Sequence, residues 1–383
     1  MRKSLFYALG FMLLSASISL AQQVKSKYDV TFYGFVKAEA IYETSETAVG
    51  DWFLFARPDG SPQSDQEIFT MNARHTRLGM KFANPVGEDG AKVTGLVEFD
   101  FAGGFPNSST AARQPLVRLR HAWVQISKGN WESRFGQDWA LISGPFPNTA
   151  SFVVGAGKGN LWMRFPQIKV TYAGKPMKVA LSINRPMAGN IKYDNFAGGS
   201  FDPVGDGERS GMPWFMGRAW FNAGSAKLSA SFHYGSEQIN DLSGNPHDKP
   251  SFSINADAEF SSGPLAFTIR GFKGENLNSF FGGVFQGFSS DATSVNNVAS
   301  MGGWAQAKYT INPKWSATIG GGLDDPEDDY VSRTRNDWFF GNIAYNAYEA
   351  VTFMLETQYL KTSYKTSDAG TSNRFQFVTY YKF

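Results

Sequence analysis

Two arginines that stand two residues apart, Arg118 and Arg120, are the strongest candidates for chemistry in this sequence. In a β-strand, residues two apart lie on the same face, roughly 7 Å from each other along the strand. Their planar guanidinium groups can bind a carboxylate or a phosphate through paired hydrogen bonds. The pair therefore predicts recognition of an anion, or a ladder of cross-strand salt bridges that stiffens a sheet, and the two roles are compatible.

Other charged residues share this polar face when the strands are read with a period of two. The basic residues of the face are Lys37, Arg77, Lys81, Lys92, Arg118, Arg120, Arg134, Lys169, Lys178, Arg218, Lys227, Arg270, Lys308 and Arg374. The acidic residues are Asp29, Glu39, Glu98, Asp100, Glu132, Asp257, Glu259 and Glu356. Basic residues outnumber acidic ones, so the face favours anions, although a β-bulge can shift the alternation.

Segments of about ten residues with strict alternation recur from Tyr28 to the end of the chain. The last of them, Arg374 to Phe383, places Phe375, Phe377, Tyr381 and Phe383 on one side and Arg374 and Gln376 on the other. Each segment thus has one apolar and one wet face. Forty glycines and an aromatic content of 15% suit such an all-β chain.

Short and long connections alternate between these strands. Short turns are predicted at 84–91, 127–130, 174–176, 222–225, 262–264, 312–313 and 346–349. Long loops are predicted at 43–69, 103–115, 138–162, 188–211, 235–250, 273–299, 324–336 and 364–372. This pattern predicts a transmembrane antiparallel β-barrel of about 16 strands, with short periplasmic turns and long extracellular loops. A soluble β-sandwich or β-helix is the alternative, but neither gives a reason for loops that are long on one side only.

Aromatic residues near strand ends are typical of the two interfacial girdles of such a barrel. Near the short turns these are Phe82, Trp131, Tyr172, Tyr309, Trp315, Tyr345 and Tyr381, and near the long loops they are Tyr42, Trp214 and Phe339.

Residues 1–21 have the basic, apolar and small-residue parts of a secretory signal peptide. Their removal leaves 34 basic against 34 acidic residues in a single barrel domain, residues 22–383. A neutral chain gives no reason to expect a nucleic-acid partner. The absence of cysteine excludes disulfides and thiolate metal sites.

The third long loop, residues 138–162, carries little charge and many glycine and apolar residues. Exposed loops are normally polar. We therefore expect this loop, which begins at Asp138, to fold into the lumen and to narrow the channel. Contact with a neighbouring subunit is the alternative.

Several segments resemble the DcaP-like porins of bacterial outer membranes. They are YGFVKAEAIYE (33–43), ARHTRLGMKF (73–82), GLVEFDFAGG (95–104), RLRHAWVQ (118–125), FGQDWALISG (135–144) and RFPQIKVTY (164–172). The resemblance implies a trimeric channel with a basic constriction that takes small organic anions such as dicarboxylates. By position it implies that Arg77, Arg118, Arg120 and Arg134 are wall arginines, that Arg164 lies just past the inward loop, and that Glu98 and Asp100 are the facing acids.

The terminal Phe383 resembles the signal that outer-membrane barrels present to the barrel assembly machinery. Phe383 is accordingly expected to lie on the lipid face and to act in assembly.

Other functions remain open alternatives: a general, cation-tolerant porin, or an adhesin or receptor that acts through its surface loops. An outer-membrane lipase is least favoured. It would need a serine and a histidine together on a lipid-facing strand, but His121, on the apolar side beside Trp123, has no serine within its predicted strand, and no GxSxG occurs. The acidic run from Asp324 to Asp329 could hold a divalent cation, but a solvated loop explains it better. No cofactor or metal is predicted.

Overall fold

Sixteen antiparallel strands form one closed sheet in the part of the chain that the computed structural model describes, which is residues 28–48, 50–87, 89–103, 115–186 and 205–383. The strands are β1 (Asp29–Glu43), β2 (Ile68–Asn72 and Arg77–Ala83), β3 (Lys92–Gly103), β4 (Leu116–Lys128), β5 (Trp131–Trp139), β6 (Arg164–Ala173), β7 (Met177–Asn184), β8 (Trp214–Ala223), β9 (Ala226–Asn240), β10 (Pro246–Ser262), β11 (Leu265–Glu275), β12 (Ala299–Thr310), β13 (Trp315–Pro326), β14 (Arg333–Tyr348), β15 (Val351–Tyr364) and β16 (Gly370–Lys382). The predicted signal peptide lies outside the described residues.

Each strand pairs with the next, and β16 pairs with β1 from Phe35 opposite Lys382 to Glu43 opposite Arg374. The predicted barrel is thereby confirmed, and it leaves no open edge, as lipid requires. The second strand has two segments that both pair with β1. Five residue steps separate Asn72 from Arg77 where β1 has four, so one extra residue bulges between the segments.

The alternation of β16 is as predicted. Phe375, Phe377 and Tyr381 expose about half of their surface on the outside, whereas Arg374 and Gln376 are buried on the inside. A strand between lipid and an aqueous or packed interior must present different side chains to each, and the two-residue period supplies them.

The short turns lie close to their predicted positions, but one predicted long loop is wrong. Strands β9 and β10 continue beyond the expected ends and leave only residues 241–245 between them. Ser236 still pairs with Pro250, and Asn240 with Pro246. Polar residues are tolerated on both faces where a hairpin rises above the membrane, so the loss of alternation there does not mark the end of a strand.

The remaining elements are short and lie in the loops. They are one-turn helices at Gly50–Trp52, Asp206–Arg209, Asn278–Phe280, Gly283–Phe285 and Asp328–Tyr330, and a hairpin of Phe288–Ser290 with Val295–Asn297. Among the described residues, no helix is long and apolar enough to cross a membrane.

Among the loops that the structure describes, three fold into the barrel: loop 1 (residues 44–67), loop 3 (residues 140–163) and loop 6 (residues 276–298). Their apolar side chains form buried clusters with one another and with the inner wall. The prediction that the third loop enters the lumen is confirmed.

Trp214, predicted for an interfacial girdle, lies inside the barrel and has no exposed surface. Its ring lies 5.6 Å from that of Phe165 and 5.2 Å from that of Phe280 of loop 6. Its neighbour Phe215 faces outward. The parity of β8 thus places Trp214 in the interior core.

Candidate pore constriction

A network of ion pairs covers the inner wall formed by β3 and β4. Arg118 donates to both carboxylate oxygens of Asp100, with Nε–Oδ1 at 3.1 Å and Nη2–Oδ2 at 2.7 Å. Arg120 donates from Nε to Oε1 of Glu98 at 2.7 Å and from Nη1 to Oδ2 of Asp100 at 2.9 Å. The cross-strand ladder expected from the sequence is therefore present, and its carboxylates are buried.

The second strand extends this network. Arg77 Nε lies 3.5 Å from Oε1 of Glu98, and its guanidinium lies over the ring of Phe35. Tyr33 donates its hydroxyl to Oε2 of Glu98 at 2.8 Å. Lys81, nearer the short turn, lies 4.8 Å from the centre of the Tyr33 ring. Glu98 of β3 thus binds side chains of β1, β2 and β4.

A β-bulge in β4 corrects one expectation. Glu98 pairs with His121 and Phe99 with Leu119, so Arg120 is the extra residue of this ladder. Beyond the bulge the alternation is reversed, and His121 is buried on the inside, where its Nδ1 lies 3.1 Å from Oδ1 of Asp138. The assignment of His121 to the apolar face was wrong because the period of two cannot reveal an inserted residue.

Asp138 is the centre of a second group of charges, on β5 and β6. Besides His121, its carboxylate binds Arg134 and, at 2.6 Å, Lys169 Nζ. Arg134 also donates to Oε1 of Gln125 and lies 4.0 Å from the centre of the Trp123 ring. The strand β5 includes Asp138, so this residue belongs to the wall instead of the loop to which it was assigned.

Arg164 differs from the other arginines of the wall. It is the first residue of β6 and only 8% exposed, and its guanidinium lies 4.5 Å from the ring of Trp139 and 5.7 Å from that of Trp162. Arg120 lies over the same Trp139 ring at 5.9 Å. Within the described residues no carboxylate pairs with Arg164, and its Nη1 is buried without a hydrogen-bond acceptor. Two cations therefore flank one ring, and only one of them is neutralised by a salt bridge.

Loop 3 is fixed to the inner wall at residues 149 and 150. Thr149 Oγ1 and the Ala150 amide donate to the two carboxylate oxygens of Glu356, at 2.6 and 2.8 Å. Lys37 Nζ donates to the Ala150 carbonyl at 2.8 Å. Side chains of β1 and β15 thus hold this part of the loop.

The tip of loop 3 passes the wall at close range. A Cβ on Gly159 would lie 2.1 Å from the carbonyl oxygen of Gly303, and the φ of Gly159 is +99°. Only glycine fits this approach. The neighbouring Lys158 is fully buried and donates to the carbonyl of Phe53 in loop 1 at 2.7 Å. Burial holds the pKa of the Lys158 ammonium well below its usual range.

Phe152 of loop 3 contacts both His75 of the second strand and an arginine of β4. Its ring stacks on that of His75 at 3.9 Å, and the Arg118 guanidinium lies 5.4 Å from it. The loop and the arginine wall therefore meet at this ring.

One group of side chains has the composition of a metal site, namely Glu39, Asp51 and His75, whose ligand atoms lie within 4.8 Å of one another. Both carboxylates already have cationic partners. Glu39 lies 2.7 Å from Lys37 Nζ, and Asp51 accepts from Nε of Arg74 at 2.9 Å. The group is better described as a hydrogen-bonded network that orients His75 under Phe152.

The other half of the lumen is filled by an apolar core. Loop 3 contributes Leu141, Ile142 and Leu161 to it, and loop 6 contributes Leu277 and Phe280. The pairing of loops 3 and 6 continues through their backbones, since Gly157 N donates to the Phe281 carbonyl at 2.8 Å.

Most residues predicted for the constriction do lie together, but the prediction missed two other loops that enter the barrel. Arg77, Glu98, Asp100, Arg118 and Arg120 form the first network, Arg134 and Asp138 the second, with Arg164 beside them and Lys81 below. The segments 52–56 and 280–285 also enter the barrel, and both are apolar. The composition argument used for loop 3 would have found them.

Phe383 lies outside the constriction network, at the end of β16. Its backbone exchanges two hydrogen bonds with Gly34, N–O 3.0 and 3.2 Å, at the seam between β1 and β16. Its side chain is half exposed on the lipid-facing side.

A closed sixteen-stranded antiparallel barrel with an inward third loop is the fold of outer-membrane porins, and comparison with solved structures agrees. The outer membrane channel DcaP of Acinetobacter baumannii matches with a TM-score of 0.73 and 23% identity over 94% of this chain and 99% of the DcaP chain. The anion-selective porin from Comamonas acidovorans matches with a TM-score of 0.60 and 14% identity, over 93% and 100%. The trimer form of OmpT from Vibrio cholerae matches with a TM-score of 0.57 and 11% identity, over 94% and 100%.

These likenesses confirm the resemblance to DcaP-like porins at the level of the fold. No protein-family model matches the sequence. No curated protein matches it either.

Proposed function

We propose that this protein is an outer-membrane porin through which small hydrophilic solutes diffuse, and that it favours organic anions such as dicarboxylates. The observation that carries the anion preference is the buried guanidinium of Arg164, which has no carboxylate partner among the described residues. It lies beside Arg118 and Arg120, whose charges are only partly offset by Glu98 and Asp100. A carboxylate that reaches this point can supply the acceptors that the wall leaves open.

The fold likeness supports the channel, since one neighbour is a channel and another is an anion-selective porin. The residues of this chain must support the selectivity by themselves. Arg77, Lys81, Arg118, Arg120, Arg134 and Arg164 face Glu98, Asp100 and Asp138, which leaves an excess of positive charge where loop 3 narrows the lumen.

Reversal potentials in planar bilayers under a salt gradient test this proposal. We expect anion selectivity in the wild type and a loss of about fivefold in the anion-to-cation permeability ratio for Arg164→Gln, since one unit charge at 4 Å in water contributes about 1 kcal/mol. This variant leaves no carboxylate without a partner. Reversal of both Arg118 and Arg120 to Glu should shift selectivity further.

Lys128→Glu is the matched control, because Lys128 is the last residue of β4, is exposed, and lies 3.1 Å from Asp89. It should leave the reversal potential unchanged. Cation selectivity of the wild type would contradict the anion preference and leave a general porin as the better description.

We also propose a homotrimer that is secreted with a cleaved signal peptide and inserted by the barrel assembly machinery. The likeness to a trimer form supports the oligomer. Heat-modifiable migration of the unboiled protein at about three times the monomer mass is the expected result, and mass spectrometry should find Gln22 near the mature N-terminus.

A further inference from the structure

Trp220 of β8 lies between two cations on the inner wall. Lys178 Nζ of β7 is 5.3 Å from the centre of its ring, and the guanidinium of Arg218 is 5.1 Å from it. An ammonium over an indole face is held there by the ring quadrupole. Trp220 therefore restricts a lysine that would otherwise be mobile.

Lys178 and Lys227 both face the lumen on the periplasmic side of the constriction. Met177 and Leu181, on the outer face of the strand that carries Lys178, are 49% and 60% exposed, and Leu228, next to Lys227, is 46% exposed. Because side chains alternate along a strand, both lysines point to the inside. Lys178 lies next to the turn 174–176 and Lys227 next to the turn 224–225. Arg118 and Arg120 lie much farther from a periplasmic turn, as the third and fifth residues of the thirteen in β4.

The two lysines are free to meet a solute, whereas Arg218 is not. Arg218 donates to both carboxylate oxygens of Asp257, at 3.0 and 2.8 Å. Neither Lys178 nor Lys227 has a salt bridge within the described residues. Glu259 pairs with Lys227 in register, and Glu132 faces the same region.

Positive side chains connect the constriction with Lys178. Arg134 and Lys169 are directly opposite each other on β5 and β6, and both bind Asp138. They lie between Arg120 and Lys178 in the order of the strands. The cations thus follow the wall from β4 to β9 toward the periplasmic opening.

We propose that Lys178 and Lys227, with Trp220 as the positioning residue of Lys178, form a second binding station for small carboxylates between the constriction and the periplasm. The proposal rests on the proposed anion channel and adds a station to it. Conduction needs binding that is strong enough to admit a solute and distributed enough to release it. A lower cationic station gives a dianion held at the constriction a second favourable position on its way out.

The test is current interruption by succinate added to one side of single channels in a planar bilayer. For Lys178→Gln, we expect the association rate of succinate from the periplasmic side to fall about twofold, since a unit charge acts over about 10 Å in water. The association rate from the extracellular side should stay unchanged. Trp220→Leu should give a smaller decrease in the same direction.

Lys308→Gln is the control, because Lys308 is also a lumen-facing lysine in the periplasmic half, on the distant strand β12. Equal periplasmic association rates for Lys178→Gln and Lys308→Gln overturn the second station. A cation-selective wild type overturns the anion channel itself, so the two failures are distinguishable. Unchanged conductance in concentrated KCl shows that each variant has folded.

Discussion

Two regions of the barrel interior are lined by different kinds of side chain. The wall of β2 to β6 is covered with arginines, lysines and carboxylates that form salt bridges, and it borders the narrow lumen. Farther around the barrel, Phe165 of β6, Trp214 of β8 and Phe272 of β11 are covered by loops 3 and 6 in an apolar core like that of a soluble protein. Charged side chains thus line one region of the interior, and apolar side chains of the loops cover the other.

This contrast shows that loops as well as strands shape the barrel interior. A sixteen-stranded barrel is wide enough to hold water. Loops 1, 3 and 6 fill part of that width. In the proposed anion channel, solutes pass Arg118, Arg120 and Arg164.

The largest effect is expected from opening the apolar side. Trp214→Ala should remove about 3–5 kcal/mol of packing free energy, because the ring fills the space between Phe165 and Phe280. Loop 6 should become sensitive to protease while the barrel persists, and single-channel conductance should rise. Phe215→Ala, the lipid-facing neighbour, is the control. Unchanged protease resistance in Trp214→Ala would mean that loop 6 does not depend on this core.

A smaller effect is expected from unbalancing the charged side. Asp100→Asn leaves Arg118 and Arg120 without one buried carboxylate, and the loss of one partner of a buried pair costs about 3 kcal/mol. Anion selectivity should nevertheless increase, because the cations remain. Reversal potentials measure this selectivity, with Asp59→Asn as control, because Asp59 is an exposed residue of loop 1. A shift toward cations would show that Asp100 is not part of the selective wall.

The boundary between the halves can be tested at the tip of loop 3. Gly159→Ala should displace the tip, since the added Cβ meets the Gly303 carbonyl at 2.1 Å and the positive φ adds about 1–2 kcal/mol. Gly60→Ala is the matched control, because Gly60 has a φ of +70° but nothing within 4 Å of the added Cβ. Altered conductance is expected for Gly159→Ala alone, and equal conductance in the two variants would show that the tip does not set the lumen width.

The smallest effect is expected from Lys158→Met. The change removes one hydrogen bond to the Phe53 carbonyl, worth about 1 kcal/mol, while the relief of burying an ammonium offsets part of this loss. Thermal unfolding should shift by only a few degrees. If loops 1 and 3 separate in this variant, the current noise of single channels should rise slightly. Unchanged noise would show that other contacts hold the two loops together.

Most of the fold could be predicted from the family resemblance of several segments and from the alternation of residue types. Strand number, strand order, turn positions and the inward third loop all follow from a period of two and from loop composition. The extent of β9 and β10 did not, because a hairpin above the membrane has no lipid face to impose alternation. The burial of Trp214 did not either, since an aromatic at a strand end suits both an interface and a core.

The constriction, like the fold, could be predicted only in part. The sequence by itself determined that Arg77, Arg118, Arg120 and Arg134 share a polar face with Glu98 and Asp100, because side chains in strands alternate. Only the tertiary structure decided their pairing. A single bulge at Arg120 turned His121 inward to Asp138. The crossing of loop 3 left Arg164 beside Trp139 and Trp162, with no carboxylate partner in the part of the chain that the structure describes. Alternation is a local property of each strand, whereas pairing depends on register and on loops that meet across the barrel.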